Sequence, residues 1–160
     1  MSTSQPLHSV TRIQGTLRVP GDKSISHRGL LFGAIADGTS RLRGLATGAD
    51  VATSRRVIEA LGVETRDVDG EVQIFGRGWA GIDHDSADPL ELDCGNSGTT
   101  ARLLIGLLSG RSGRYRLTGD ESLSKRPMGR VVRPLTALAA TIEGDATLPL
   151  VVGGGGLRGA

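Results

Sequence analysis

One cysteine, Cys94, stands in a chain of 160 residues. A single thiol excludes an internal disulfide framework and any zinc site built on several cysteines. Aromatics are also scarce, being limited to Phe32, Phe75, Trp79 and Tyr115, so the core must be built from Leu, Val, Ile and Ala. Lysine occurs only at Lys23 and Lys125, among 19 basic residues set against 17 acidic ones, for a net charge of +2. A nucleic-acid surface needs a concentrated basic face and stacking aromatics; neither is present, and no nucleic-acid partner is expected. No apolar run approaches the roughly 18–20 residues of a membrane span. Residues Met1 to Pro6 lack the charged start and apolar stretch of a secretory signal. We therefore expect no membrane partner and a cytoplasmic setting.

Glycine is what the chain has in excess, 25 of 160 residues, about twice the usual share of roughly 7%. Several of these glycines fall at matching places in an internal duplication. Gly21-Asp22-Lys23-Ser24-Ile25-Ser26-His27-Arg28 aligns with Gly95-Asn96-Ser97-Gly98-Thr99-Thr100-Ala101-Arg102 at an offset of 74, and Leu30 and Leu31 align with Leu104 and Ile105. Arg41-Leu42-Arg43 matches Arg114-Tyr115-Arg116, and Glu71 to Gly78 matches Leu148 to Gly155 at an offset of 77. The period exceeds the roughly 20–50 residues of solenoid repeats. It marks a duplicated supersecondary unit.

Each copy reads βαβαββ. Short extended pieces, Thr16–Val19 and Leu90–Cys94, end in glycine turns. Helices follow over Ser24–Ala36 and Gly98–Leu108, then strands over Arg41–Leu45 and Arg114–Thr118. Asp50 is expected to cap the next helix of copy one, with Val51, Val57, Ile58 and Leu61 on one face and Gly62 as the stop. Its counterpart carries Pro127 in the first turn, then Met128, Val131, Val132, Leu135 and Leu138, with Pro134 expected to kink it or delay its start. Strands Thr65–Asp67 with Val72–Phe75, and Thr141–Ile142 with Leu148–Val152, close the two copies. From Val152 to Ala160 nothing is expected to finish a sheet; the tail reads as a disordered terminus or as the cut end of a longer chain.

The strongest chemical signal is Pro20 to Arg28. A glycine turn leads into a helix whose first N–H groups lack intrahelical partners, a natural seat for phosphate or carboxylate. Lys23, Ser24 and Arg28 add an ammonium, a hydroxyl and a guanidinium there; a capped surface helix with solvated charges is the plainer alternative. The second copy repeats the arrangement at Asn96, Gly98 and Thr99, where the missing Gly98 side chain lets a ligand approach the backbone closely. The loop Glu121–Pro127 brings Arg126, suited to bidentate phosphate contact, beside Lys125.

Other chemistries fail on spacing. Asp22 separates Gly21 from Lys23, which breaks a Walker A loop. His8, His27 and His84 are scattered, so no metal site is expected. Ser24 or Ser26 with His27 is too local to form a nucleophile–base pair with an orienting acid. Asp83, Asp85, Asp88, Glu91 and Asp93 read mostly as a solvated turn and strand edge, and Cys94 as a small buried residue.

Three stretches in order, Pro20–Arg28, Asp93–Leu103 and Lys125–Arg130, resemble the N-terminal part of the 5-enolpyruvylshikimate-3-phosphate synthases (3-phosphoshikimate 1-carboxyvinyltransferases). The resemblance implies an α+β fold of six βαβαββ units in two closing domains, about two of which would be present here. It implies transfer of the enolpyruvyl group of phosphoenolpyruvate to the 5-hydroxyl of shikimate 3-phosphate, with release of phosphate and no metal or organic cofactor, in the shikimate pathway to aromatic amino acids. Lys23, Ser24 and Arg28 would then hold shikimate 3-phosphate. Lys23, Asn96, Gly98, Thr99 and Arg126 would hold phosphoenolpyruvate. Lys23 would be the catalytic residue, assisting proton transfer if desolvation lowered its pKa. Full-length members are expected to be monomeric. Glycine at 98 implies sensitivity to the inhibitor glyphosate, and Ser97 departs from the family's usual alanine.

The organisation expected is an N-terminal strand segment over 1–19, a first unit over 20–89 and a second over 90–160. The sister family acting on UDP-N-acetylglucosamine carries Lys-Asn where this chain has Lys23-Ser24, and a cysteine in the loop that holds Lys125 and Arg126. A non-catalytic anion-binding or assembly module is the alternative from another class. The family's Ser-x-Gln segment and acid–base carboxylates would begin beyond Ala160, so the isolated chain is expected to be inactive. Normal turnover in a phosphate-release assay, with host enzyme excluded, would overturn that expectation.

Overall fold

Asp22 opens the first helix by accepting the Ile25 N–H at 2.8 Å, which satisfies one of the donors a helix start leaves free. The computed structural model describes residues 9 and 11–159; His8 and the start of the expected N-terminal strand lie outside them. Helix α1 (Lys23–Ile35) leads into strand β1 (Asp37–Arg43), helix α2 (Ala49–Ala60) and strands β2 (Glu64–Val68) and β3 (Glu71–Arg77). A short 3-10 turn, Ala80–Ile82, precedes β4 (Leu90–Asp93), α3 (Gly98–Ser109), β5 (Arg114–Thr118), α4 (Glu121–Ser124), α5 (Gly129–Ala137), β6 (Thr141–Glu143) and β7 (Leu150–Gly153).

The fold is α+β and the duplication is visible in its sheets. The first has the order β1-β3-β2, all antiparallel, and the second the order β4-β5-β7-β6. Strands β1, β3 and β2 thus correspond to β5, β7 and β6. In the second sheet β4 runs parallel to β5, with Leu90 beside Tyr115. The helices bury their apolar faces against the sheets and one another, α1 on β3 and α2, α2 on α3, and α3 on α5 and β7. Leu30, Ile58, Ile74, Leu104, Leu108 and Tyr115 lie at the centre of the resulting core.

Several expected elements differ. Thr16–Val19 is not in a sheet: Leu17 and Val19 are 84% and 75% exposed, and an extended segment without a hydrogen-bonding neighbour is not a strand. Strand β1 starts at Asp37 rather than Arg41, because it pairs with β3 from Asp37–Arg77 through Arg43–Glu71; Gly44, at φ +66°, then turns the chain. Gly48, not Asp50, caps α2. The loop Glu121–Pro127 contains α4, capped by Asp120, and Pro127 precedes α5 rather than joining it. Helix α5 runs through Pro134, which leaves the Arg130 carbonyl without its usual helical donor. Val152 and Gly153 do complete the second sheet, paired with Tyr115 and Arg114. Asp83 is not a solvated acid: it binds the buried Arg111 guanidinium at 2.8 and 3.1 Å, and Arg111 in turn stacks on Trp79 at 4.5 Å.

Gly76 on β3 marks the tightest packing of sheet on helix. A Cβ there would strike the carbonyl oxygens of Gly33 and Ala36, whereas Gly106 in α3 has open space beside it. Gly76→Ala is expected to destabilise the chain by about 2–3 kcal/mol through forced backbone movement. Gly106→Ala is expected to stabilise it by about 0.5–1 kcal/mol through helix propensity. Urea denaturation of both variants checks the pair, and similar effects at the two sites would contradict this packing.

Candidate anion-binding cleft

At α1 the helix start expected to seat an anion begins at Lys23, with the Asp22 carboxylate beside it. Asp22 engages the Ile25 N–H and, through its carbonyl, the Ser26 N–H. The backbone N–H groups of Lys23 and Ser24 remain for a ligand. Lys23 forms an ion pair with Asp50 in the first turn of α2. Its side chain is 56% exposed, so the desolvation expected for it is not found in this structure. A pocket of about 220 Å³ lies beside this pair, lined by Ala46, Gly48, Ala49 and Val51 as well as Lys23 and Asp50. Arg28, one turn along, is exposed and makes no hydrogen bond among the described residues.

The second terminus is tighter. Gly95 has φ +50°, a left-handed conformation that glycine adopts without a Cβ penalty, and its turn delivers Ser97 as the α3 cap, accepting from Thr100 N at 3.2 Å. Asn96 sits between two charged groups: its Nδ2 donates to Asp120 at 2.6 Å and its Oδ1 accepts from Arg126 at 2.7 Å. The Asn96 amide and the Leu123 N–H together hold Asp120 below the usual carboxylate range. The Gly98 N–H is given to the Asn96 carbonyl at 3.1 Å, which leaves the Thr99 N–H as the open donor of this turn. Lys125 turns away to Glu121 at 2.6 Å.

Two residues not expected from the sequence shape the cleft. Arg102 donates to the Gly98 carbonyl and to the Pro127 carbonyl, each at 3.1 Å, tying α3 to the loop that carries Arg126. Its position four residues after Gly98 on α3 was the available sequence signal. A Cβ on Gly98 would stand 2.6 Å from Arg102 Nη1 and 3.5 Å from Arg126 Nη1. Asp50 links both halves: its carboxylate takes Lys23, and its backbone carbonyl lies 3.5 Å from the Thr100 hydroxyl of α3. Sequence reasoning gave Asp50 only a capping role, because nothing local reveals a partner 27 residues away.

Cys94 is buried at the end of β4, and burial, reinforced by the Asp93 charge, pushes its thiol up to about 12, so it stays protonated. Among the described residues no group of three or more metal-ligating side chains is assembled, and no helix is long and apolar enough to cross a membrane.

His27 is fully buried on α1. Burial chiefly, and the Lys23 charge next, lower its pKa from 6.5, with Asp50 opposing. The unfolded chain therefore takes up this proton first on acidification. The associated stability is present above pH 6.5 and is lost as pH falls through that value towards the folded-state pKa. His27→Asn removes the titration, so its melting temperature is expected to fall less than that of the wild type between about pH 7 and about pH 5. Equal losses in calorimetry would contradict a buried neutral imidazole.

Comparisons with known proteins identify the family of the chain. The model of the family EPSP synthase (3-phosphoshikimate 1-carboxyvinyltransferase) matches residues 7–160. A 3-phosphoshikimate 1-carboxyvinyltransferase of Anaeromyxobacter dehalogenans is 48% identical over 151 residues, which cover 92% of this chain and 33% of the relative. Another, of Alkalilimnicola ehrlichii, is 50% identical over 149 residues, covering 89% of this chain and 32% of the relative. The solved EPSP synthase from Acinetobacter baumannii superposes with a TM-score of 0.81 at 42% identity, over 91% of this chain and 34% of that one. The chain thus spans about a third of the length of the relatives it matches. With nearly all of its described length aligned in both sequence and fold, the chain belongs to the EPSP synthase family.

Proposed function

We propose that this chain supplies one side of a two-anion cleft for 3-phosphoshikimate 1-carboxyvinyltransferase chemistry, and that shikimate 3-phosphate and phosphoenolpyruvate are its ligands. Residues 20–89 carry the shikimate-3-phosphate wall and residues 90–160 the phosphoenolpyruvate wall. The observation that carries this is the meeting of the two helix starts at Asp50, in contact with Lys23 through its side chain and near Thr100 through its carbonyl. Two dipole ends and the surrounding cations make a favourable seat for polyanions.

Lys23, Ser24 and Arg28 take the phosphate and hydroxyl groups of shikimate 3-phosphate at α1. Arg126, held by Asn96 and by Ser122 at 3.2 Å, takes phosphoenolpyruvate together with the α3 turn at Gly98 and Thr99. Protonating the enol methylene of phosphoenolpyruvate creates an oxocarbenium-like carbon. The 5-hydroxyl adds to that carbon and gives up its proton. Loss of a methyl proton and of phosphate from the tetrahedral adduct then restores the enol ether. Lys23 is the residue of this chain proposed to touch both ligands and to assist the proton transfers; while it is ion-paired with Asp50, its ammonium is oriented beside the pocket. The setting proposed is cytoplasmic, with the whole protein a monomer acting on these small anions and requiring no metal or organic cofactor.

Titration of the 15N-labelled chain with shikimate 3-phosphate is expected to give saturable shifts at Lys23, Ser24 and Arg28 that vanish in Lys23→Ala. Phosphoenolpyruvate is expected to shift Gly98 and Thr99, with affinity at least tenfold weaker in Arg126→Ala, since a charge-assisted pair is worth about 1.5–3 kcal/mol. A well-dispersed spectrum unmoved by either anion would overturn the proposal.

A further inference from the structure

Four buried side chains outside the cleft form one hydrogen-bonded line across three helices. His27 Nδ1 on α1 lies 2.7 Å from Ser54 Oγ on α2. Ser54 Oγ lies 2.8 Å from Thr100 Oγ1 on α3, and Thr100 Oγ1 lies 2.7 Å from Oγ of Ser97, the α3 cap. All four residues are fully buried. Burying a hydroxyl exposes it to a desolvation penalty if its partner is lost, a penalty that apolar residues of similar size would not carry. Apolar contact tolerates sliding, whereas a line of short hydrogen bonds permits one register.

The line also has a direction. Each hydroxyl carries one hydrogen. That of Thr100 goes to Ser97 at 2.7 Å rather than to the Asp50 carbonyl at 3.5 Å. Ser54 must then donate to Thr100, and the His27 Nδ1–H to Ser54. The ring is therefore protonated on Nδ1, and a second proton on the buried Nε2 would put an unpaired charge in the core, so the imidazole is neutral. Its Nε2, buried without a hydrogen-bond partner among the described residues, keeps a lone pair.

We propose that His27, Ser54, Thr100 and Ser97 are positioning residues that hold the first turn of α3 at a fixed spacing from α1, so that the Gly98–Thr99 wall and the Lys23–Ser24 wall face the same pair of anions. None of the four is assigned a ligand contact. The inference rests on the cleft proposed above, but its structural half can be measured without any ligand.

In the wild-type chain, the ring 15N shifts of His27 at neutral pH are expected to report the Nδ1–H tautomer; an Nε2–H or doubly protonated ring overturns the donor order and the proposal. The Thr100 and Ala101 amides, both tied to Ser97, are expected to exchange about tenfold faster in Thr100→Val and in Ser54→Ala, and near the wild-type rate in Thr100→Ser, which keeps the hydroxyl. Equal exchange in all four proteins overturns the proposal. If Thr100→Val does not fold, Ser54→Ala and the wild-type tautomer still decide it. Phosphoenolpyruvate affinity is expected to fall about tenfold in folded Thr100→Val and to recover in Thr100→Ser, with shikimate 3-phosphate affinity changed less than about twofold. Undiminished phosphoenolpyruvate affinity in Thr100→Val overturns the positioning role. A wild type that binds neither anion instead overturns the cleft, and amide exchange then judges the hydrogen-bonded line by itself.

Discussion

Bringing two helix starts towards one space is electrostatically unfavourable, because each ends in partly positive N–H groups and each brings its own cations. Helix α2 makes the arrangement possible. It lies between α1 and α3, sends Asp50 to Lys23, and sends Ser54 to both His27 and Thr100. The carboxylate offsets charge at the rim, and the hydroxyls set distance in the interior. The sheets behind the helices supply the burial that stops the three from drifting apart, with Ile74 and Leu104 among the fully buried residues of that shared core.

Two of the cleft's cations are already engaged. Lys23 faces Asp50, Arg126 is held by Asn96, and Asn96 is anchored on Asp120. Exposed pairs of this kind are worth about 0–1 kcal/mol each, less than the charge-assisted bonds a phosphate offers. On the proposed reading, a polyanion would meet two cations already oriented, Lys23 and Arg126, and would still have to organise the solvated Arg28. Arg102 contributes differently: with its two Nη groups on backbone carbonyls, it fixes the loop that carries Arg126.

The two copies are alike in topology and unlike at one edge. In the second sheet β4 occupies the parallel place beside β5, while the corresponding edge of β1 carries no strand among the described residues. The Thr16–Val19 segment has the apolar alternation of a strand but no neighbour to pair with. A repeat in sequence thus specifies the unit's helices and antiparallel strands more firmly than its first strand.

Much of this was legible in the sequence, and the boundary between what was and was not has a physical basis. The duplication, the helices at Lys23 and Gly98, the burial of Cys94 and the Gly62 stop all follow from local periodicity, capping and turn chemistry, which act over a few residues. Lys23, Ser24, Arg28, Asn96, Gly98, Thr99 and Arg126 were recognisable as candidates because helix starts and family motifs are short patterns. The tertiary structure alone decided that Asp50 meets Lys23 instead of capping α2, that Arg111 draws Asp83 out of the acidic run, and that His27, Ser54 and Thr100 join in one buried line. Those partners are 27, 28 and up to 46 residues apart. Their hydrogen bonds depend on how three helices pack, and no local pattern in the chain encodes that distance.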